Sequence, residues 1–594
     1  MRPIDRLREQ MKQKKIALYL VPTDDFHGSE YVGDYFKARA YLSGFTGSAG
    51  TLVISQEEAG LWTDARYFVQ AKQQLANTGI HLYEMGEEGV CTVEEYIKEH
   101  LHEGDILGFD GRVVSATQGD KYEALAKEKK ASLYTEEDLV GFIWENRPKR
   151  AANPAWVLGE AYCGQSTKEK LAKIRKQMKE KNVQRHLLSS LCDIAWILNV
   201  RGSDIAYVPV VLSYLSIGET DCIWFAQSEA ITPEVSDYLR ENQIELRLYD
   251  DFYAYVRGLS KKERLLLDRK VVNTHICQCI PKECICVNET DPSVLLRAIK
   301  NETEQENIRK AHRKDAVAMC KFMYWLKSNV GKIPMTELSV AAHLEELRKQ
   351  QEGFLELSFE TISAYAAHGA IVHYAVTEET DVALLPENFL LVDSGAHYLE
   401  GTTDITRTFA LGPITKEMRE HFTRVCRANL HLARAVFLYG CTGKNLDILA
   451  RRPLWEAQLD YKHGTGHGVG HLLCVHEGPN AFRWKKALDG SKACVLEEGM
   501  ITTDEPGLYL EGQYGIRTEN ELLCKKMGKN EYGQFMAFEP LTFVPIDLDA
   551  LDTEQMSAEE KEWLNAYHAL VYEKVSPFLE SEEQEFLKQY TRNV

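Results

Sequence analysis

The feature that most limits what this chain can fold into is a stretch that occurs twice. Leu7-Arg-Glu-Gln-Met-Lys-Gln-Lys-Lys-Ile16 aligns with Ile174-Arg-Lys-Gln-Met-Lys-Glu-Lys-Asn-Val183, an offset of 174 − 7 = 167 residues. Both copies have the apolar spacing of a basic amphipathic helix, and the first leads into an apolar strand, Ala17-Leu-Tyr-Leu-Val21. Further on, Tyr41-Leu-Ser-Gly-Phe-Thr-Gly-Ser48 has a counterpart in Trp196-Ile-Leu-Asn-Val-Arg-Gly-Ser203. A repeat of a helix feeding a strand implies two related α/β domains in tandem. Between them, Asn146-Arg-Pro-Lys-Arg-Ala-Ala-Asn-Pro154 is rich in Pro and charge and suits an exposed linker. The pattern changes again near Val287-Asn-Glu-Thr-Asp-Pro292. From Thr303 a long helical run continues through Ala316-Val-Ala-Met-Cys-Lys-Phe-Met-Tyr-Trp325, its apolar residues spaced by three and four. The expected division is residues 1–153, 154–300 and 301–594: two small α/β domains and one large C-terminal domain.

Composition removes several classes of function. The chain has 70 Lys+Arg against 89 Asp+Glu, a net charge of −19, which argues against a nucleic-acid partner held by a basic face. A hydrophobic content of 44% with 10% aromatics opposes disorder. The 14 cysteines in 594 residues are far below the density of a disulfide scaffold and read as reduced thiols. The first fifteen residues are charged and lack the apolar core of a secretory signal, and no uncharged apolar run approaches the ~18 residues of a membrane span. The expectation is a soluble cytoplasmic protein with no membrane partner, in which Asn288-Glu-Thr and Asn301-Glu-Thr match the glycosylation pattern by coincidence.

Three clusters carry chemistry. In Phe389-Leu-Leu-Val-Asp-Ser-Gly-Ala-His-Tyr-Leu-Glu-Gly-Thr-Thr-Asp-Ile-Thr-Arg-Thr-Phe409, two β-patterned runs flank a turn near Glu400-Gly401. A two- or four-residue turn there puts Asp393 and Asp404 on one face and nearly opposite each other, so the pair needs a cation or a proton. The second cluster is His463-Gly-Thr-Gly-His-Gly-Val-Gly-His471 with Val475-His-Glu-Gly478. It is not a dinucleotide fingerprint, because the third glycine of a G-x-G-x-x-G counted from Gly464 would fall at Val469. Alternating glycines instead let backbone approach closely while a tight loop presents imidazoles. The third is Met500-Ile-Thr-Thr-Asp-Glu-Pro-Gly507 followed by Gly515-Ile-Arg-Thr-Glu-Asn-Glu-Leu-Leu523: one strand ends at Glu505, and another carries Arg517 and Glu519 on one face. Alone this is a hairpin with a solvated charged face; beside the other two clusters it supplies the missing ligands.

Asp393, Asp404, His467, Glu505 and Glu519, in that order and with these flanks, closely resemble the pita-bread metallopeptidases, specifically the aminopeptidase P (Xaa-Pro aminopeptidase) branch. Tyr41-Leu-Ser-Gly-Phe-Thr-Gly-Ser-Ala-Gly50, Trp62-Thr-Asp-Ala-Arg-Tyr67, Arg201-Gly-Ser-Asp204 and Phe538-Glu-Pro-Leu-Thr-Phe-Val-Pro-Ile546 resemble its long, three-domain cytosolic form, so the likeness covers nearly the whole chain. It implies two creatinase-like N-terminal α/β domains followed by a pita-bread catalytic domain. It also implies a homodimer that removes the N-terminal residue from peptides with proline in second position. Two divalent ions are implied, bridged by Asp404 and Glu519, with Asp393 chelating one while His467 and Glu505 complete the other. The oxygen-rich set favours Mn²⁺, with Zn²⁺ or Co²⁺ as alternatives. Glu505 then doubles as proton acceptor. His373 and His476 resemble the pair that contact substrate and steady the oxyanion. His463 resembles the histidine lining the proline pocket, and Arg517 the arginine that holds a metal-bound carboxylate.

The chain departs from the family pattern at His368, where asparagine is usual, and at His471 and Cys474, where smaller or amide side chains are usual. Specificity and metal preference are less tightly implied there than the five ligands. One rival chemistry is Cys277-Gln-Cys279 with Cys284-Ile-Cys286, which could hold a metal or a disulfide. Cys-x-Cys on a strand places both thiols of a pair on one face, and zinc pairs usually have two to four intervening residues, so small buried apolar side chains are the expected reading. The rival functions are a prolidase restricted to Xaa-Pro dipeptides and a metal-free pita-bread binding module.

Overall fold

In both copies the repeated stretch folds as a helix feeding the central region of a six-stranded sheet. Helix Pro3–Lys14 precedes strand Leu18–Pro22, and helix Thr167–Glu180 precedes strand Arg185–Leu188. The first helix buries Ile4, Leu7 and Met11; the second buries Leu171, Ile174 and Met178, each 167 residues on. From edge to edge the first sheet runs His81–Glu84, Ala59–Thr63, Thr51–Ile54, Leu18–Pro22, Ile106–Phe109, Ser132–Tyr134. The second runs Glu245–Leu248, Cys222–Ala226, Ser213–Gly218, Arg185–Leu188, Arg264–Leu267, Ile285–Asn288. In each the pairings read parallel, antiparallel, antiparallel, parallel, parallel. The shorter repeat is a helix stop: Gly44 closes Ala38–Ser43 and Asn199 closes Leu191–Leu198, both in the left-handed conformation at φ 75° and 51°.

The computed structural model describes residues 1–485 and 493–594. They pack as two units, Met1–Glu160 with Gln165–Val294, and Ala161–Gly164 with Leu295–Val594. The two repeat-derived sheets belong to the first. The cysteine cluster there departs from expectation. Cys277 and Cys279 lie on helix Thr274–Cys279 and not on a strand, so their thiols diverge. Cys279 is buried, Cys277 and Cys284 are half-buried, and Cys286 is exposed; all are free thiols. The helix forms because Asn273 caps it, its side chain accepting from the Ile276 N–H. Among the described residues these thiols form no group able to hold a metal. No helix among those residues is long and apolar enough to cross a membrane.

In the second unit the long helix runs Glu302–Asn329, starting one residue before the expected Thr303. Asn301 caps it reciprocally: its side chain accepts from the Glu304 N–H while the Glu304 carboxylate accepts from the Asn301 N–H. Met319, Phe322 and Met323 of this helix pack with Leu390, Val392, Ile405 and Phe409 of strands Phe389–Ser394 and Ile405–Ala410, and with Val571 of helix Ala558–Val575. Each such side chain, fully buried, contributes ~1.5–3 kcal/mol. Strand Phe389–Ser394 is central in a three-stranded sheet between Ile362–Tyr365 and Ile405–Ala410. A six-stranded antiparallel sheet, ordered Val436–Leu438, Gly533–Pro540, Asn520–Asn530, Ile501–Asp504, Gly466–Gly468, Glu477–Phe482, carries His467, and His476, Glu505 and Glu519 each adjoin the end of one of its strands.

Candidate active site

Strand alternation decides which side chains of Phe389–Ser394 reach the site. Leu390 and Val392 face the long helix, so Leu391 and Asp393 face the other way. Opposite Asp393 stands Thr406, and the hairpin closes through a two-residue turn, because Tyr398 pairs with Gly401. Asp404 therefore sits diagonally across from Asp393, two residues from its direct partner and on the same face. Thr406 and Thr408 continue that face toward the third cluster. The Thr406 hydroxyl donates to Glu519 Oε2 at 2.7 Å, and Thr408 Oγ1 accepts from the Arg517 N–H at 3.1 Å.

The third cluster differs from the expected single strand. Arg517 ends strand Tyr514–Arg517, Thr518 and Glu519 break the run, and Asn520–Asn530 continues in another sheet. The break arises because the Glu519 N–H donates to the Thr406 carbonyl, while Arg407 donates to the Glu519 carbonyl at 2.6 Å. The charged face is not solvated: Arg517 and Glu519 are each only 2% exposed.

The histidine–glycine run also differs. Gly466–Gly468 is a strand inside the six-stranded sheet and not a loop. Glycine is required at 466, where any Cβ would overlap the Thr503 carbonyl oxygen. Between the glycines, His467 is held by its ring and its backbone. Its Nδ1 lies 2.9 Å from the Gly468 carbonyl, which makes Nδ1 the protonated nitrogen and leaves the Nε2 lone pair free to ligate. Its N–H donates to Thr503 Oγ1 at 3.0 Å, and the Thr503 hydroxyl in turn donates to Glu505 Oε1 at 3.2 Å.

These elements bring most of the candidate residues together. His467 Nε2 is 3.4 Å from Asp404 Oδ2 and 3.5 Å from Glu505 Oε1. Asp404, His467 and Glu519 each offer one donor atom, all within 4.8 Å of one another. Arg517 donates to Asp393 Oδ2 at 2.7 Å and to the Tyr509 hydroxyl at 2.6 Å. The other oxygen of Asp393 is buried with no hydrogen-bond partner. The His476 ring meets His467 edge-on at 4.3 Å, and His463 Nε2 lies 2.9 Å from the Tyr509 hydroxyl. His373 sits between two anchored neighbours: the Val372 carbonyl accepts from Arg517, and the Tyr374 hydroxyl donates to Glu337.

Electrostatically this is a site short of positive charge. Burial, then Asp393, Glu505 and Glu521, raises the Asp404 carboxyl well above the ordinary range despite Arg517. Burial, then Asp404, Glu505 and Asp393, does the same to Glu519. Burial opposes the Arg517 charge, but Tyr509, Asp393 and Glu505 outweigh it and hold the guanidinium ionised. Burial also pushes the Tyr509 hydroxyl up to about 12, against the pull of Arg517. Four carboxylates share the site with the Arg517 guanidinium and the His467 imidazole, and one buried oxygen of Asp393 has no hydrogen-bond partner. Such a donor set suits hard divalent cations.

Several supporting residues were not among the sequence-read candidates. Thr406 and Glu521 follow Asp404 and Glu519 at period two, a signal that was available in the sequence. Glu521 accepts the Asp404 N–H at 2.8 Å and lies 3.2 Å from His312 of the long helix. Tyr509 carried no local signal. The three departures sit at the periphery: His368 Nδ1 lies 2.9 Å from the Glu337 carboxylate, His471 Nε2 lies 3.0 Å from the Tyr162 carbonyl, and the carbonyl of buried Cys474 accepts from Gly470 N–H.

Family models agree with this architecture along the chain. The Creatinase/Prolidase N-terminal domain matches residues 3–137 and, as a second model, residues 146–304; metallopeptidase family M24 matches 306–526 and its C-terminal region 534–594. Aminopeptidase P2 of Arabidopsis thaliana is 38% identical over 97% of this chain and 86% of that protein. A crystal structure of the X-prolyl aminopeptidase of Caenorhabditis elegans, described as a cytosolic enzyme with a di-nuclear active site, superposes with a TM-score of 0.95. It is 31% identical and covers 100% of this chain and 99% of that one. The prolidase of Pyrococcus horikoshii superposes with a TM-score of 0.50 at 26% identity, covering 64% of this chain and 99% of its own. The chain belongs to the Xaa-Pro aminopeptidases of metallopeptidase family M24.

Proposed function

We propose that this protein is a dinuclear Xaa-Pro aminopeptidase that hydrolyses the bond between an N-terminal residue and a penultimate proline. The observation that carries it is the convergence of Asp404, His467 and Glu519 donor atoms within 4.8 Å, in a chain alike to such enzymes over almost its full length. In this reading Asp393, Asp404, His467, Glu505 and Glu519 would hold two divalent ions, with Asp404 and Glu519 the carboxylates common to both, Asp393 serving one and His467 with Glu505 the other. Mn²⁺ is the preferred metal for so oxygen-rich a set. When bound, the ions supply charge that acidifies water and polarises the scissile carbonyl.

The chain's own groups do the rest. Glu505, steadied by the Thr503 hydroxyl, accepts a proton at its carboxylate. Arg517 keeps Asp393 oriented through Oδ2 and leaves Oδ1 to ligate. His476 and His373 donate to the oxygen on which negative charge develops. His463, tied to Tyr509, lines the proline pocket. The proton that Glu505 takes from the attacking water passes to the prolyl nitrogen as the carbon–nitrogen bond breaks. The same reading takes 1–153, 154–300 and 301–594 as domains, and a cytosolic homodimer as the working form.

The test is hydrolysis of Arg-Pro-Pro against Arg-Pro, with metal content measured on protein purified without chelators. The expected result is about two divalent ions per chain, cleavage of the tripeptide, and loss of activity on metal removal with recovery on Mn²⁺. Preference for the dipeptide would make the protein a prolidase, and failure to bind metal would make it a binding module.

A further inference from the structure

The segment that carries His476 is anchored at both ends by groups outside the 306–526 match to the peptidase family. On one side is Glu477, the residue after His476 and the first of strand Glu477–Phe482, paired with Gly468 and so one step from His467. Its carboxylate is buried and has two cationic partners. Arg297 donates to Oε2 at 2.9 Å, and Lys300 donates to Oε1. Lys300 is itself buried, and its ammonium also donates to the carbonyls of Arg297 at 3.0 Å and Ala298 at 3.4 Å. Its backbone is equally held. The Lys300 N–H donates to the Gly499 carbonyl, its carbonyl accepts from Gln305, and Ile299 bridges Met500. A cation fixed at so many points is a rigid reference for whatever it binds.

On the other side, His471 reaches the Tyr162 carbonyl at 3.0 Å. Asn307 donates to the carbonyls of Ala161 and Tyr162, and Asn301 donates to that of Cys163. Residues 161–164 are thereby seated in the catalytic unit by three side chains acting on successive carbonyls. The span from His471 to Glu477 is thus fixed at its two ends, with His476 next to the stronger anchor.

We propose that Lys300, assisted by Arg297, is a positioning residue: its ion pair with Glu477 sets the place of the His476 ring against His467. This rests on the reading of His476 as the group that meets the developing oxyanion. An apolar contact would hold the strand as firmly against unfolding, but a charge pair with convergent donors fixes the carboxylate in direction as well.

The test compares Lys300→Met and Lys300→Arg in the full-length, metal-loaded protein. For Lys300→Met the expected result is a kcat on Arg-Pro-Pro lowered about 10–100-fold, with KM and metal content little changed. Lys300→Arg should recover most of that loss. A crystal structure of Lys300→Met should show the His476 ring moved away from His467. If Lys300→Met does not fold, the double variant Lys300→Met/Glu477→Gln removes the stranded buried charge and should fold while showing the same displacement and low kcat. The inference is overturned if folded Lys300→Met or the double variant keeps the wild-type kcat, if the loss follows metal content alone, or if the His476 ring stays in place in either of them. A wild-type protein inactive on Arg-Pro-Pro would overturn the proposed activity instead, and the position of His476 in the variant would still decide the role of Lys300.

Discussion

The Asp404 and Glu519 carboxyls are harder to ionise in the folded chain than in the unfolded one. Both carboxyls titrate above their ordinary range because they are buried, and then because neighbouring carboxylates oppose ionisation: Asp393, Glu505 and Glu521 for Asp404, and Asp404, Glu505 and Asp393 for Glu519. A carboxyl whose folded pKa lies above its unfolded value contributes stability that is present below about pH 4 and lost as pH rises through the folded pKa. Metal-free protein is therefore expected to lose stability from about pH 4 upward on account of this pair. Divalent ions held as proposed would take the ionised carboxylates, so binding would release protons and offset that loss. The rise in melting temperature on adding Mn²⁺ should be larger at about pH 7.5 than at about pH 5.5. Titration calorimetry in two buffers of different ionisation enthalpy should register the released protons. An equal rise at both pH values would show that the site does not couple metal to protons. Much at this scale was legible from residue type, since acids and imidazoles with flanking glycines advertise ligation. Tyr509 was not, because a hydroxyl that bridges His463 and Arg517 has the local pattern of any strand tyrosine.

Among the elements, strand Gly466–Gly468 depends on the absence of a side chain. It lies so close to Ile501–Asp504 that a Cβ at 466 would overlap the Thr503 carbonyl oxygen. Gly466→Ala is expected to cost ~1–3 kcal/mol of stability by overpacking and to move His467 away from Asp404. Gly528, where a Cβ meets nothing within 4 Å, provides the control: Gly528→Ala should stay within about 0.5 kcal/mol. Chemical denaturation of the two variants checks this, and equal costs would refute the close-approach account. Glycine-rich sequence reads as loop because its local freedom is large. Only the neighbouring strand, which needs the space, turns it into sheet. The break at Thr518–Glu519 has the same origin: strand periodicity continues through it, but hydrogen bonds to Thr406 and from Arg407 pull the backbone out of one sheet before it enters the next.

Over the whole molecule, acid should act through buried histidines that are not candidate site residues. His568 accepts the Ile546 N–H on Nε2 and is therefore neutral; burial, then the charges of Arg407 and Arg592, lowers it to about 3. Burial likewise lowers His27 and His186 to about 4. A base whose folded pKa is depressed contributes stability present above about pH 6.5 and lost as pH falls through the folded value, on the order of 3 kcal/mol for each such group. Denaturation of Mn²⁺-loaded protein, in which the Asp404–Glu519 pair does not oppose the trend, should show stability falling toward acid between about pH 7 and pH 4.5, and His568→Gln should flatten that fall. A flat profile in the wild type would contradict it. The sequence by itself determined the tandem α/β repeat and the order of candidate ligands, because helix and strand periodicity and the chemistry of a side chain are properties of short segments. The tertiary structure alone decided that Arg517 meets Asp393 across 124 positions of chain, and that Asp404, His467 and Glu519 share a space of 4.8 Å. Those meetings depend on register and on how one sheet approaches another, quantities settled by packing between distant segments and written in none of them alone.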